Sequence, residues 1–551
     1  MFTFFGNTIL LLLFIKNRQN LDYTLGVYFI SHKNDTYIFQ GKFLGDFLLK
    51  FYFQENDIYS QAKIILAGGD LNLKIDTFYP LWSLGHKWYS EAEKGLHIIK
   101  INIQGNIQKF NPISWSLDSH NTLSAEVKKI NIEYSDIFSL FGLYKEIPLY
   151  LPFEKVIAYK AGCVMYPSNL SAFFRENPVV TSGIDSNPEI ARKKSVGELF
   201  ERYSCSILPG DINHLDIGLV SSNMVQEVQK YTGVNIKTHV GTKSTLIHMK
   251  EKRIDLEKVK NINVPSSVVF YMNDTKGNNI FRGNSNGVAV HINAEKAFEG
   301  AYLELLERDS IACVHLYRIT LPEITQFEAS SNLSPYLDEA KHKGFKIRFF
   351  DATLDKKVFV VLCCAENIAG GFPKYVFGSS ANINLELAMT KSIQEALFAS
   401  VSLITKKQIY LNYFQSRNNV AVSNTLDHLY FYANPENAHE IKYLLTENQS
   451  IPMLELMKKT EKNLGDLVTS HNDNILYFDT TTHIMSSLGL FGVKVFSEKF
   501  IPFWFGRNAF PIKKLPLRLN LLSPFLDSKN LVYNPRRIKL DDEMLYLHFL
   551  G

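Results

Sequence analysis

Long runs of one charge are missing from this chain of 551 residues. Its 59 Lys and Arg stand against 55 Asp and Glu, a formal net charge of +4, with no extended basic stretch. A nucleic-acid-binding surface is therefore not expected. Cysteine is sparse too: Cys163, Cys205, Cys313, Cys363 and Cys364 are odd in number and lack metal-ligand spacing. That argues against a disulfide framework or a zinc cage, and buried, reduced thiols of a cytoplasmic protein are expected. No stretch is long enough to cross a bilayer. The nearest is the start, MFTFFGNTILLLLFIKNRQN, but no Lys or Arg precedes its apolar run and no small-residue cleavage site follows. A first buried strand is expected there, with a signal or anchor as the alternative.

The common nucleotide and metal signatures are missing as well. There is no G-x-G-x-x-G. GTKST at 241–245 lacks the glycine directly before the lysine that a phosphate loop needs, and reads as a turn. The histidines are scattered, without H-E-x-x-H or a Cys/His quartet, and nothing signals a Ser/His/Asp triad.

What is present is apolar material: 46% of the residues are hydrophobic, enough for large cores and two or more domains. Residues 1–145 are rich in aromatic and β-branched residues and carry no recognisable chemistry. YTLGVYFIS and DTYIFQGKF read as strands, GDFLLKFYF as strand or helix, and the polar SWSLDSHNTLSAE as lying near a boundary. Residues 146–551 have a mixed α/β texture. KVIAYKAGCVMY reads as a strand and PSNLSAFFRENPVVTSGIDS as a long loop. A helix starts at Pro188, where Asn187 offers an N-cap and proline the first helical position. A loop, NDTKGNNIFRGNSNG, precedes a second helix over about 293–318. FKIRFFDATLDKKVFVVLCCAE reads as two strands joined at Leu354-Asp355-Lys356. YVFGSS is another strand, NLELAMTKSIQEALFAS a third helix, and the tail beyond 490 reads as short strands and Pro-punctuated loops.

One short helix is written twice. GELFERYS (197–204) and LELLERDS (303–310) share E-L-x-E-R-x-S. Three-residue spacing puts Glu198 with Glu201, and Glu304 with Glu307, on a common face. Glu198–Arg202 and Glu304–Arg308 have the four-residue spacing of ordinary surface ion pairs. The neighbours argue against a wetted face. Ala297, Ala301 and Ile311, flanked by Leu303 and Val314, share the acidic side of the second copy, as Ala191, Cys205, Ile190 and Leu208 do in the first. Crowded, desolvated carboxylates need a proton or a cation. Four glutamates on two helices suit Mg2+, and two guanidinium forks suit phosphate. Two readings stay open: a Mg2+-nucleotide site between helices, or buried ion-pair networks.

SGIDSNPEIARKKSVGELFERYS, NSNGVAVHINAEKAFEGAYLELLERDS and GSSANINLELAMTKSIQEALFAS, with GFKIRFFDATLDKKVFVVLCCAE between the second and third, resemble the YcaO family over roughly residues 150–510. The resemblance implies an α+β fold: a YcaO-type α/β domain with a carboxylate-rich nucleotide site between helices, after a smaller β-rich N-terminal domain. It implies ATP and Mg2+ as cofactors. Glu198, Glu201, Glu304 and Glu307 would be metal or phosphate-region ligands; Arg202, Arg308, Glu395 and Ser195 would bind the nucleotide. It implies phosphorylation of a peptide amide oxygen and closure of Cys, Ser or Thr to an azoline in a ribosomally made precursor. An E1-like or leader-binding partner, or residues 1–145 in that role, would accompany it, and a homodimer is compatible. Some positions depart from the family pattern: Ala289, Ile292, Lys296 before Ala297, and Phe398, where a glutamine is usual. A Pro-rich C-terminus is absent. They keep a non-catalytic peptide- or partner-binding protein open as an alternative, beside a thioamide-forming enzyme.

Overall fold

The computed structural model describes residues 153–534 apart from 155, 164–178, 206–215, 237–239, 254–258, 271–282, 328–331, 406, 409–424, 446–448, 459–466, 483–484, 487–488 and 505–508. Before residue 153 it describes the backbone of seven strands. Six form one antiparallel sheet in sequence order: β1 (Phe2–Phe5), β2 (Thr8–Lys16), β3 (Thr24–His32), β4 (Asp35–Gly41), β5 (His97–Ile101) and β6 (Ile107–Phe110). The apolar start is thus a strand, as are YTLGVYFIS and DTYIFQG. GDFLLKFYF and SWSLDSHNTLSAE lie outside the described residues.

The seventh strand, β7 (Lys145–Leu149), pairs with β8 (Ile157–Cys163), which pairs with β9 (Val179–Asp185). The division expected between 145 and 146 falls at the first residue of β7. β9 corrects the reading of 167–186 as loop. Its serine, glycine and aspartate resemble turn chemistry, but Gly183 is there for proximity. A Cβ on it would stand 2.1 Å from the Ala191 carbonyl oxygen of the next helix.

That helix is α1 (Pro188–Ser204). The Asn187 side chain accepts from the Glu189 N–H at 2.9 Å, satisfying a first-turn donor. Next come β10 (Asp216–Leu219), α2 (Ser222–Thr232), β11 (Lys243–Lys252), β12 (Lys260–Pro265) and β13 (Val288–His291). Then follow α3 (Ala294–Tyr317), β14 (Glu323–Thr325), α4 (Ser334–His342), β15 (Phe345–Asp351), β16 (Phe359–Asn367), β17 (Tyr375–Asn382) and α5 (Leu385–Thr405). The described chain continues through α6 (Thr425–Ala433), β18 (Ser450–Pro452), β19 (Ile475–Asp479) and β20 (Phe491–Ser497) to α7 (Leu515–Ser528). One sheet runs β10-β11-β19-β20-β13 with β12 beside β11; another runs β17-β16-β15-β14-β18. α3 lies against β13, β20 and β17, α5 against β16 and β17, and α1 against β8 and β9.

GTKST is a turn leading into β11, with Gly241 at φ +84°. Helix α7 corrects the reading of the tail. Pro516 is tolerated in its first turn, Pro524 sits inside it, and Leu515, Arg518, Leu522 and Leu526 form its buried face. Cys205, Cys313, Cys363 and Cys364 are buried and unpaired. Among the described residues no helix is long and apolar enough to cross a membrane.

Candidate functional site

Three strand-to-helix units build the site, one more than the repeated motif announces. In each an asparagine caps the helix and a glutamate follows eleven residues later: Asn187 and Glu198, Asn293 and Glu304, Asn384 and Glu395. Each glutamate reaches back to a backbone N–H of the preceding segment. Ser182 donates to Glu198 Oε2 at 3.0 Å, Gly287 to Glu304 Oε2 at 2.5 Å, and Ser379 to Glu395 Oε2 at 3.2 Å. Glycine permits the approach. A Cβ on Gly378 would stand 2.3 Å from the Ser392 carbonyl oxygen and 2.5 Å from the Ala396 nitrogen. Gly287 has φ +66°, and a Cβ there would lie 2.2 Å from the Val495 carbonyl oxygen.

The second acids complete the cluster. Glu307 accepts from Ser379 Oγ at 2.5 Å and from the Ala381 N–H at 3.1 Å, which ties α3 to β17. Burial, then the charges of Glu304 and Glu198, push the Glu201 carboxyl up to about 8. Burial, then Glu307, pushes Glu395 up to about 8. Glu307 is also raised, by burial first. These groups border a cleft: protein surrounds them, yet Glu201 and Glu307 are only half-buried and Glu395 is solvent-exposed. Desolvation first, then mutual repulsion in a partly dry site, raises all three.

Cations answer the crowding. Arg202 donates to Glu198 at 3.2 Å. Arg308 pairs with Glu304, donates to Asn286 Oδ1 at 2.5 Å, and lies 5.5 Å from the Phe503 ring centroid. Lys494 on β20 is fully buried, bonds the Asn284 carbonyl oxygen, and is pushed down to about 8, chiefly by burial.

The structure thus brings Glu198, Glu201, Glu304 and Glu307 into one charged neighbourhood, with Glu395, Arg202 and Arg308 at its edge. Ser195 is fully buried in α1, and its Oγ has no hydrogen-bond partner. Ala297, Ala301, Ile311, Ala191 and Cys205 are buried as expected. Ile190 is not: it is 44% exposed, because it sits in the first turn before α1 meets the body. Leu208 lies outside the described residues. Among the departures, Lys296 is exposed and pairs with Glu299 at 2.6 Å, Ile292 is exposed, and Phe398 packs against the core. Sequence reasoning missed Lys494, Ser379 and Asn286. The alternation in FGVKVFS carried a faint signal, since it sets Lys494 on the face shared by Gly492 and Phe496.

The residues fit a hard cation held with a polyphosphate. Oxygen donors are in surplus, their excess charge raises their own proton affinity, and two guanidinium groups stand beside them. Among the described residues no three His, Cys, Asp or Glu side chains form a ready-made metal cage.

Comparison with known proteins gives one family match, to YcaO cyclodehydratases described as ATP- and Mg2+-binding, over residues 182–500. A solved heterocyclase in complex with substrate and cofactor is similar at 14% identity and a TM-score of 0.56, over 91% of this chain and 76% of that one. YcaO from Methanopyrus kandleri, bound with AMPPCP and Mg2+, is 14% identical over 64% of this chain and 84% of its own, with a TM-score of 0.43. A chain of the E. coli microcin synthetase McbBCD complex is 16% identical over 65% and 88%, with a TM-score of 0.46. No curated protein matches.

Proposed function

The chain belongs to the YcaO family of ATP- and Mg2+-binding cyclodehydratases, and from that premise we propose that it closes Cys, Ser or Thr residues of a ribosomally made precursor peptide into azolines. The observation that carries this reading is the meeting of acids from α1, α3 and α5 beside Arg202 and Arg308. In the proposed reaction the Cys, Ser or Thr side chain adds to the preceding amide carbonyl carbon. The oxygen so formed takes the γ-phosphoryl group of ATP, releasing ADP. The carbon–oxygen bond then breaks with phosphate leaving, the amide nitrogen loses its proton, and a C=N bond remains. Net, the peptide loses one water and one ATP becomes ADP and phosphate.

Glu198, Glu201, Glu304 and Glu307 would hold Mg2+, which when bound neutralises phosphate charge. Arg308 and Arg202 would grip phosphate oxygens and Glu395 would orient the same region, whereas Ser195, sealed from solvent inside α1, would act only through the helix and not by touching the nucleotide. The protein's part is positioning and charge compensation, since an amide oxygen leaves only once phosphorylated. Residues 1–145 form a separate unit in this reading. They, or an E1-like partner chain, would bind the precursor's leader.

The test is ATP consumption by the full chain with Mg2+ and a Cys/Ser/Thr-rich precursor. Turnover should need Mg2+, rise with peptide, and yield product lighter by one water per ring. A product with sulfur in place of oxygen would mean thioamide formation instead. Glu201→Gln and Glu307→Gln should abolish turnover and leave the unfolding midpoint close to wild type. Full activity in either variant removes the mechanism. The second reading, a non-catalytic binding protein, is motivated by the departures at Ile292, Lys296 and Phe398, the last standing where the other two units carry a second acid. ATP-Mg2+ binding measured by calorimetry decides against it.

A further inference from the structure

Helix α3 carries two kinds of charge on adjacent residues. Arg308 serves the cleft, whereas Asp309 is turned away from solvent and is fully buried. Arg518 of α7 holds it with a double contact, Nε standing 2.9 Å from both carboxylate oxygens. Lys356, from the turn between β15 and β16, donates to Asp309 Oδ2 at 2.6 Å. The Ile501 N–H donates to Oδ1 at 2.8 Å. Asp355 closes the cluster, accepting from Arg518 at 2.8 and 2.6 Å and from Lys356 at 2.8 Å. Two acids and two cations balance. Arg518 and the Lys356 side chain are, like Asp309, sealed from water.

Such a cluster is a poor source of stability, because stripping water from four charges offsets most of their attraction; its best-attested use is to specify register. Apolar burial alone does not set the rotation of the C-terminal half of α3; polar bonds do, this clamp on one side and the contacts of Glu304, Glu307 and Arg308 on the other. Every residue from Asp309 to Tyr317 is buried, and so are Ala301, Tyr302, Leu305 and Leu306. A helical segment buried on all sides, as 309–317 is, gains about as much burial after a turn about its axis as before it. Yet a slip of one residue, about 100° of rotation, would carry Glu304 and Glu307 out of the cleft.

The geometry points to Asp309, Arg518 and Lys356 as positioning residues: the clamp sets the rotation of α3 and so aims Glu304, Glu307 and Arg308 at the site. Helix α7 becomes a required part of that site without lending it an atom. This inference rests on the reading of the cleft as an ATP-Mg2+ site.

The test compares two variants of the full chain, both on α7. Arg518→Lys keeps the charge but loses the planar fork. Leu522→Ala, equally buried, loosens the same helix without touching the clamp. Arg518→Lys should weaken ATP-Mg2+ binding about tenfold or more, in the range typical of residues that orient ligands. Leu522→Ala should leave the affinity nearly unchanged. Amide exchange in the nucleotide-free protein gives a second readout: residues 303–309 should exchange faster in Arg518→Lys alone. If the two variants shift affinity and exchange alike, or Arg518→Lys shifts neither, the clamp is merely structural and the inference is overturned. A wild type that binds no ATP-Mg2+ sinks the reading of the cleft instead, and the exchange comparison then decides the clamp by itself.

Discussion

Glu307 and Glu395, from different helices, are joined through one residue. Ser379 gives its hydroxyl to Glu307 at 2.5 Å and its backbone N–H to Glu395 at 3.2 Å. The two donors can be separated by experiment, because Ser379→Ala removes the first and keeps the second. A hydrogen bond to a charged group is worth about 1.5–3 kcal/mol. Its loss makes Glu307 harder to ionise, so Mg2+ must displace a more tightly held proton. Ser379→Ala should remain folded and lower Mg2+-dependent nucleotide affinity about tenfold or more. Calorimetric titration at fixed pH measures it. An unchanged affinity would separate Glu307 from the metal.

The raised carboxyls fix a sign for pH dependence. Burial and the neighbouring carboxylates push the half-buried Glu201 up to about 8 in the folded, metal-free protein, against 4.5 as the ordinary value, and Glu395, which is open to solvent, shifts in the same direction by less than full burial would give. Between those limits the folded state binds more protons than the unfolded chain, so stability falls as pH rises through the window. Water entering the cleft makes the slope shallower than full burial would. The unfolding midpoint of the metal-free protein should therefore fall from about pH 6 to about pH 8.5, and ATP with Mg2+ should flatten the fall. Binding near neutrality should release protons, seen as calorimetric heats that depend on the buffer's ionisation enthalpy. A midpoint that climbs over this range would contradict the crowding.

Part of this was legible in the chain. The two E-L-x-E-R-x-S helices, the Asn187 cap and the strands on either side of Leu354 all carry local signals, in period, cap chemistry and turn residues. The third unit was half-hidden, since Phe398 stands where the other two carry a second acid and the unit therefore lacks their shared E-L-x-E-R-x-S motif. β9 escaped because a strand that must admit a helix at close range is written with Gly183 and small polar residues. α7 escaped because Pro516 and Pro524 read as breakers, and the burial that overrides them is tertiary. Arg518 meets Asp309 across 209 positions, and no pattern within one segment can signal that.

The glycines give the sharpest contrast. Gly378 and Gly197 both belong to the strand-to-helix units of the site, the first on β17 and the second inside α1 beside Glu198. A Cβ on Gly378 would press on the backbone of α5, 2.3 Å from the Ser392 oxygen and 2.5 Å from the Ala396 nitrogen, with no flexible side chain able to give way first. A Cβ on Gly197, inside α1, would meet nothing within 4 Å. Gly378→Ala should push α5 off β17, stretch the Ser379–Glu395 bond and cost about 1–3 kcal/mol or more, as overpacking does. Gly197→Ala should stabilise by about 0.5–1 kcal/mol, because it relieves a helix interior of glycine's conformational entropy. Thermal unfolding of the two variants reads both signs at once. Equal shifts would mean that the close crossing of β17 and α5, which sets Glu395 beside Glu307, is not part of the native packing.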